Sequence, residues 1–189
     1  MVCSETLKNA TKKPHVETEA ALIPRLKSIK SNSDYIRLLV MLYHFISPLE
    51  KLVENHLLKI HLSDIETRRR SPLIIKSLQL LGAPEMTEAT CRMPQITNVT
   101  QAFGALYVME GSTMGGHVIA GMLKSNTCIE LPEGSLAFFT AYGNNTVGMW
   151  SSFKQCLDGS ITTEADISEV VRAANDTFFS MKEWILNNN

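Results

Sequence analysis

The sequence has no surplus of charge of either sign: 18 Lys and Arg stand against 19 Asp and Glu, a formal charge of −1. A nucleic-acid surface needs a basic excess, so nucleic acid is not an expected partner, although a local cationic patch is compatible with the balance. No long uninterrupted apolar run is present. The most apolar stretch, Val99 to Leu123, contains Gln101, Glu110 and His117 and reads as a buried helix, with no membrane span expected. The four cysteines, Cys3, Cys91, Cys128 and Cys156, are far apart and form no CxxC pair, and the opening MVCSETLKNATKK lacks the apolar core of a signal peptide. A cytoplasmic protein with free thiols is the expectation. There is no HExxH and no paired His/Cys spacing, which argues against a protein-only zinc cage, and no Walker or GxGxxG motif to cradle a phosphate.

Alternating apolar and polar runs are scarce, whereas helical spacing recurs in almost every long segment. Ser71-Pro72 before LIIKSLQLLG predicts an N-cap at Ser71, a proline at the first helical position and Gly82 beyond the end. Asp34 is expected to cap a helix through YIRLLVMLYHFISPLEKLVENHL, kinked at Pro48 where a backbone donor is lost. Thr163 and Asp166 form a capping-box-like start, behind which Ile167, Val170, Val171, Ala174, Phe178, Met181 and Ile185 share a stripe. Glu85 to Gln95 and Asn126 to Gly134 read as loops. With no repeat, low-complexity tract or linker, residues 1–189 are expected to form one all-α domain of about six to eight helices.

The segment NVTQAFGALYVMEGSTMGGHVIAGMLK carries five of the ten glycines, Gly104, Gly111, Gly115, Gly116 and Gly121, behind a start signal at Asn98 and Gln101. Five interior glycines cost a helix on the order of 4–5 kcal/mol relative to alanine, so something must offset them. Gly104, Gly111 and Gly115 return to one face, widened by Ser112 and Gly116. A partner can lie there against bare backbone: a closely crossing helix, a phosphate, or a large flat ligand. Glu110, Ser112, Thr113 and His117 among the glycines make the segment look like the wall of a pocket.

A heme asks little of a protein in ligands, because the porphyrin supplies four nitrogens and one histidine can supply an axial fifth. The histidines are His15, His44, His56, His61 and His117. His56 and His61 are expected at the surface and His44 buried against a hydrogen-bond partner. His15 has the most suggestive surroundings: on a helix, Glu19 lies one turn on and can hold its other ring nitrogen, while Lys12 and Lys8 lie one and two turns back. Both lysines are candidates to pair with carboxylates of a ligand. Pro14 removes one hydrogen bond just before His15.

At these residues the sequence resembles the heme oxygenase family. LKNATKKPHVETE, Leu7 to Glu19, is similar to that family's LK-x-AT-x-x-x-H-x-x-x-E start, whose histidine is the proximal iron ligand. LLVMLYHFISPLEKLVE resembles its second-helix LYH and LE pattern, GSTMGGHVI its Gly-rich distal helix, and EGSLAFFTAYGNNTVGMWSSFKQ its EG-LAFFTF segment and following FKQ helix. The matches run in family order from Leu7 to about Gln155. The resemblance implies the all-α heme oxygenase fold, with heme between a helix carrying His15 and the Gly-rich helix. It implies ring opening with O2 and external electrons to biliverdin, carbon monoxide and ferrous iron. Gly111, Ser112, Gly115 and Gly116 would form the distal side, where backbone close to the iron leaves room for dioxygen and a water. Lys8 and Lys154, with Lys12, would face the propionates, and Glu19 would support His15. The electron donor would be a separate ferredoxin, flavodoxin or reductase, since the chain has no flavin, iron–sulfur or nicotinamide motif.

The sequence departs from the family pattern at three points. Ser112 stands where many members have an aspartate that organises the distal water, so Ser112 or a backbone carbonyl near Gly111 would hold that water. Asp158 stands at a basic propionate-side position, and Pro14 precedes the proximal histidine. A non-catalytic heme carrier or sensor on the same fold is the alternative. A thiaminase-like enzyme would need a nucleophilic cysteine in the pocket, and no cysteine falls near His15 or within the Gly-rich helix.

Overall fold

The computed structural model describes residues 2–86 and 89–188, so residues 87 and 88 of the predicted Glu85–Gln95 loop lie outside it. Seven α-helices and two short 3-10 turns make up the regular structure of the described residues, with no strand. They are α1 (Cys3–Ala10), α2 (Lys12–Lys27), α3 (Asn32–Glu54), α4 (Ser71–Leu80), α5 (Val99–Lys124), α6 (Thr146–Ser160) and α7 (Glu164–Asn187). The 3-10 turns are Ile65–Arg68 and Gly143–Asn145.

Helix α7 is the platform. Of its predicted stripe, Ile167, Val170, Ala174, Phe178 and Ile185 are buried and Val171 and Met181 half-buried. Both α5 and α2 lie on α7 and scarcely touch each other, while α5 also packs on α6 and α3. Every residue of α5 from Gln101 to Glu110 is buried, whereas Ser112, Met114, Gly115, His117 and Val118 are exposed. One helix thus serves as core in its first half and as a cleft wall in its second.

The helix starts follow from local polar chemistry. Asn98 accepts from the Gln101 N–H and Thr163 from the Asp166 N–H, as their spacing predicts. At α3 the cap is Ser31, which accepts from the Asp34 N–H, while the Asp34 carboxylate takes the Ser31 hydroxyl and the Lys30 N–H. Asp34 is the reciprocal member of a capping box and not the cap itself. Ser71 is likewise the first helical residue of α4, not its cap, because the Glu50 carboxylate already occupies the α4 N-terminus. Gly82 ends α4 with φ +65°, a value that favours glycine. Helix α3 continues through Pro48 to Glu54.

Pro14 acts at a distance. It sits in the first turn of α2, where a missing N–H leaves nothing unpaired, and His15 N–H still reaches Thr11 C=O at 3.0 Å. Its ring crowds the carbonyl four residues earlier, at Ala10, which is where α1 ends. Lys8 therefore belongs to α1 and Lys12 and His15 to α2, across a break at Thr11.

Candidate functional site

The α2 wall carries His15, Glu19 and Ile23 at four-residue spacing, all exposed. His15 Nε2 is 3.5 Å from Glu19 Oε1, and the imidazole meets Phe178 of α7 edge-on with centroids 5.6 Å apart. Phe178 backs the ring, and Glu19 can hold one ring nitrogen and leave the other for a ligand. A half-turn of the ring exchanges the two nitrogens between those roles. Lys8 is exposed and lies 3.9 Å from Glu5; Lys12 is exposed one turn before His15. The other histidines have different surroundings. His44 packs edge-on to Trp184, His61 accepts from Leu58 N–H, and exposed His117 is 3.2 Å from the Thr146 hydroxyl. His56 and His61 are partly covered, not fully exposed.

The α5 glycines divide into two groups. A Cβ on Gly104 would sit 2.5 Å from Val170 C=O and 2.8 Å from Ala173 Cβ, so this glycine exists for the α5–α7 crossing. A Cβ on Gly116 would overlap the Phe139 carbonyl, which presses that loop against α5. Gly116, expected on the cleft, is a packing glycine facing the other way. A Cβ on Gly115 or Gly121 would meet nothing within 4 Å, and one on Gly111 only the Trp150 ring at 3.7 Å. Of the three glycines expected on one bare face, Gly115 is open, Gly111 meets only Trp150, and Gly104 is covered by α7. Glu110 and Thr113 also point inward: Glu110 is fully buried, and Thr113 donates to Glu110 C=O at 2.6 Å. On the same half of α5 Val118 (67%), Met122 (38%) and Met114 (42%) are exposed, and on α6 Val147 (66%) is exposed one turn before Trp150. Gly111, Gly115, Val118 and Met122 fall on one face by spacing, and an unpaired apolar strip of this kind suits an apolar ligand.

The two walls meet at their base. Tyr107, one turn before Gly111, lies against Thr11, one turn before His15; burial, above all, raises the Tyr107 pKa. Trp150 of α6 packs on Tyr107 at 5.2 Å between centroids, and Lys154 lies over Trp150 at 5.6 Å. The structure thus gathers Lys154, Trp150 and Gly111 at the end of the cleft where Thr11 joins α1 to α2. Asp158 is turned elsewhere: it accepts from Ser4 N–H at 2.7 Å and Ser4 Oγ at 2.8 Å, and holds the start of α1 to α6.

Behind the α5 wall lies a buried polar cluster that the sequence reading did not find. Arg68, 2% exposed, donates to Glu110 Oε2 at 2.5 Å and makes a two-pronged contact with Asp64 at 2.7 and 2.8 Å. Burial opposes the Arg68 charge, but Asp64 and Glu110 outweigh it and raise its pKa. The other Glu110 oxygen accepts from Tyr142 at 2.8 Å, and burial and the Glu110 charge push the Tyr142 phenol far up. Arg70, also 2% exposed, donates to Ser112 Oγ at 3.2 Å and to Met109 C=O at 2.5 Å. Its own N–H is held by Glu50 at 2.6 Å. The signal available in sequence was the run Arg68-Arg69-Arg70, which looks like a solvated charge run. Only Arg69 is exposed.

The residues fit a heme: a half-exposed histidine on one wall, bare backbone and uncovered apolar side chains on the other, and lysines at the rim. Among the described residues no group of three or more His, Cys, Asp or Glu could hold a metal ion by itself. No helix among them is long and apolar enough to cross a membrane.

The fold itself is that of solved heme oxygenases. It superposes on the NO- and CO-bound heme oxygenase of Neisseria meningitidis with a TM-score of 0.79, at 18% identity, over 100% of this chain and 92% of that one. The heme oxygenase of Leptospira interrogans gives 0.79 at 17% identity over 98% and 99%, and heme oxygenase-1 of Synechocystis sp. PCC6803, solved in complex with heme, gives 0.74 at 18% over 98% and 91%. A curated heme oxygenase from Xanthomonas campestris pv. campestris (strain 8004) is 27% identical over 146 residues, 76% of this chain and 84% of the relative. The heme oxygenase family model matches residues 1–187, and the chain belongs to that family of oxidoreductases.

Proposed function

We propose that the protein opens the heme ring with O2 and external electrons, releasing biliverdin, carbon monoxide and ferrous iron. The observation that carries this reading is that exposed His15 on α2 and the open backbone of Gly115 on α5 belong to two helices that both pack on α7. Heme, once bound, supplies the oxygen chemistry. The chain's residues bind and orient it. His15 would supply a nitrogen to the heme iron, and Glu19 would hold the other ring nitrogen of the imidazole. Lys8, Lys12 and Lys154 attract the propionates at the rim, and Val118, Met122, Met114 and Val147 cover the apolar ring. Gly111 and Gly115 keep the distal side open to dioxygen and to a water that carries protons. Electrons come from a separate ferredoxin, flavodoxin or reductase, and the setting is the cytoplasm.

The test is aerobic reduction of the hemin complex with catalase present, followed in the visible spectrum. Loss of the Soret band with appearance of biliverdin is expected. Heme that cycles between ferric and oxy forms with its ring intact would mark a carrier or sensor.

A further inference from the structure

Arg70 is a buried cation whose guanidinium forms no ion pair among the described residues. It is 2% exposed, and its contacts are the Ser112 hydroxyl, the Met109 carbonyl and the face of the Phe138 ring at 5.6 Å. Its Nε has no hydrogen-bond partner. Buried charges are ordinarily paired, because desolvation penalises them heavily. The neighbouring Arg68 follows that rule with Asp64 and Glu110, and Arg70 does not. Glu50 is spent on the Arg70 and Ser71 N–H groups and on the Ser71 hydroxyl, so it fixes the Arg70 backbone and leaves the guanidinium pointing at α5.

The consequence falls on Ser112. A hydroxyl has one proton and two lone pairs. The Ser112 proton goes to Met109 C=O at 2.7 Å, and one lone pair takes Arg70 Nη1. Guanidinium only donates and a carbonyl only accepts, so neither bond can reverse. What remains on the exposed side of Ser112 is a single lone pair, an acceptor with no proton to offer. The Met109 carbonyl is itself taken by Arg70 and Ser112, which removes it as a holder of cleft water.

We infer that Arg70 is a positioning residue that locks the Ser112 hydroxyl as a pure acceptor, so that a water ligand on the open side of the heme is held by donating a proton to Ser112. This rests on the reading of the cleft as a heme site, and it refines the expectation that Ser112 or a backbone carbonyl near Gly111 holds the distal water. The other buried charges nearby, Arg68 and Glu110, are spent on each other, and Tyr142 is held by Glu110.

The test uses the full chain loaded with hemin, as wild type, Arg70→Met, Arg70→Lys, Ser112→Ala and Arg70→Met with Ser112→Ala. The readout is the pH at which water on the ferric iron becomes hydroxide, followed by visible absorption. An acceptor at Ser112 favours water over hydroxide. Freeing the hydroxyl to donate reverses that preference, so Arg70→Met is expected to lower the transition by about one pH unit, the scale of one hydrogen bond. Ser112→Ala is expected to lower it too, and Arg70→Met is expected to lower it no further in that background. Loss of a cation acting only through its field would raise the transition, and that sign would overturn the proposal. So would a drop of equal size with and without the Ser112 hydroxyl, or no change. Arg70→Lys keeps the charge but cannot fork to both oxygens, and is expected to shift in the same direction by less; it carries the test if Arg70→Met does not fold, as judged by thermal melting of the heme-free protein. Failure of the wild type to bind hemin overturns the site reading, whereas normal binding and turnover with an unmoved transition overturns the role of Arg70 alone.

Discussion

At the scale of single residues, His15 and the two kinds of glycine carry the sharpest expectations. His15→Ala is expected to lose the axial histidine signature of its heme complex and to regain it with added imidazole. An unchanged signature in that variant, with loss on substitution of His117 or His44 instead, would transfer the ligand elsewhere. Gly115→Leu puts a side chain into open space, so the heme-free protein is expected to gain up to about 1 kcal/mol of stability from helix propensity while heme or oxygen binding weakens. Gly116→Ala drives a methyl into the Phe139 carbonyl and is expected to cost about 1–3 kcal/mol with no heme present. Urea unfolding of the two heme-free variants should move in opposite directions. Movement in the same direction would mean that the neighbourhoods of the two glycines are not as described.

At the scale of elements, α5 depends on the arginines that brace it from behind. Arg68 joins the turn before α4 to Glu110 in the middle of α5, in full burial. Arg68→Met leaves Glu110 without its cation, which costs on the order of 3–5 kcal/mol when one partner of a buried pair is removed. Replacing Glu110 by Gln together with Arg68→Met should recover part of that loss, since no lone buried charge remains. Chemical denaturation of both variants checks this, and a single variant as stable as wild type would show that the pair is not desolvated. The Thr11 break belongs to this scale as well. Pro14 ends α1 at Ala10, and α2 starts at Lys12, which is how Lys8 and His15 come to sit on separate helices.

For the whole molecule, the packing of α1 against α6 and α7 sets an alkaline limit. Cys3 is 1% exposed, and burial, aided by the Asp158 charge, pushes its thiol from 9.0 up to about 11. The unfolded chain gives up that proton first, so the stabilisation is complete below pH 9.0 and is lost as pH rises towards about 11. Burial raises Cys91 to about 11 in the same way and adds to the slope. Denaturant midpoints measured from neutral pH upwards should fall across that window, and fall less steeply in Cys3→Ala. Equal slopes would remove Cys3 from the account.

Much of this molecule could be read along the chain because helices are local. Hydrophobic period marked the buried stripe of α7, and Asn98 and Thr163 marked their helix starts, since caps bond within three residues. His15 with Glu19 was legible for the same reason, one turn being four residues. What each glycine faces was not legible: Gly104 and Gly115 share a helix face, but α7 crosses the first and no described residue comes within 4 Å of a Cβ on the second. The buried arginines were hidden in the same sense. Arg68, Arg69 and Arg70 look alike in sequence, and only the meeting of α3, α4 and α5 buries two of them, one against Glu110 and the other against Ser112. Contacts across 39 or 42 positions depend on how helices cross, which the order of residues along any one helix does not encode.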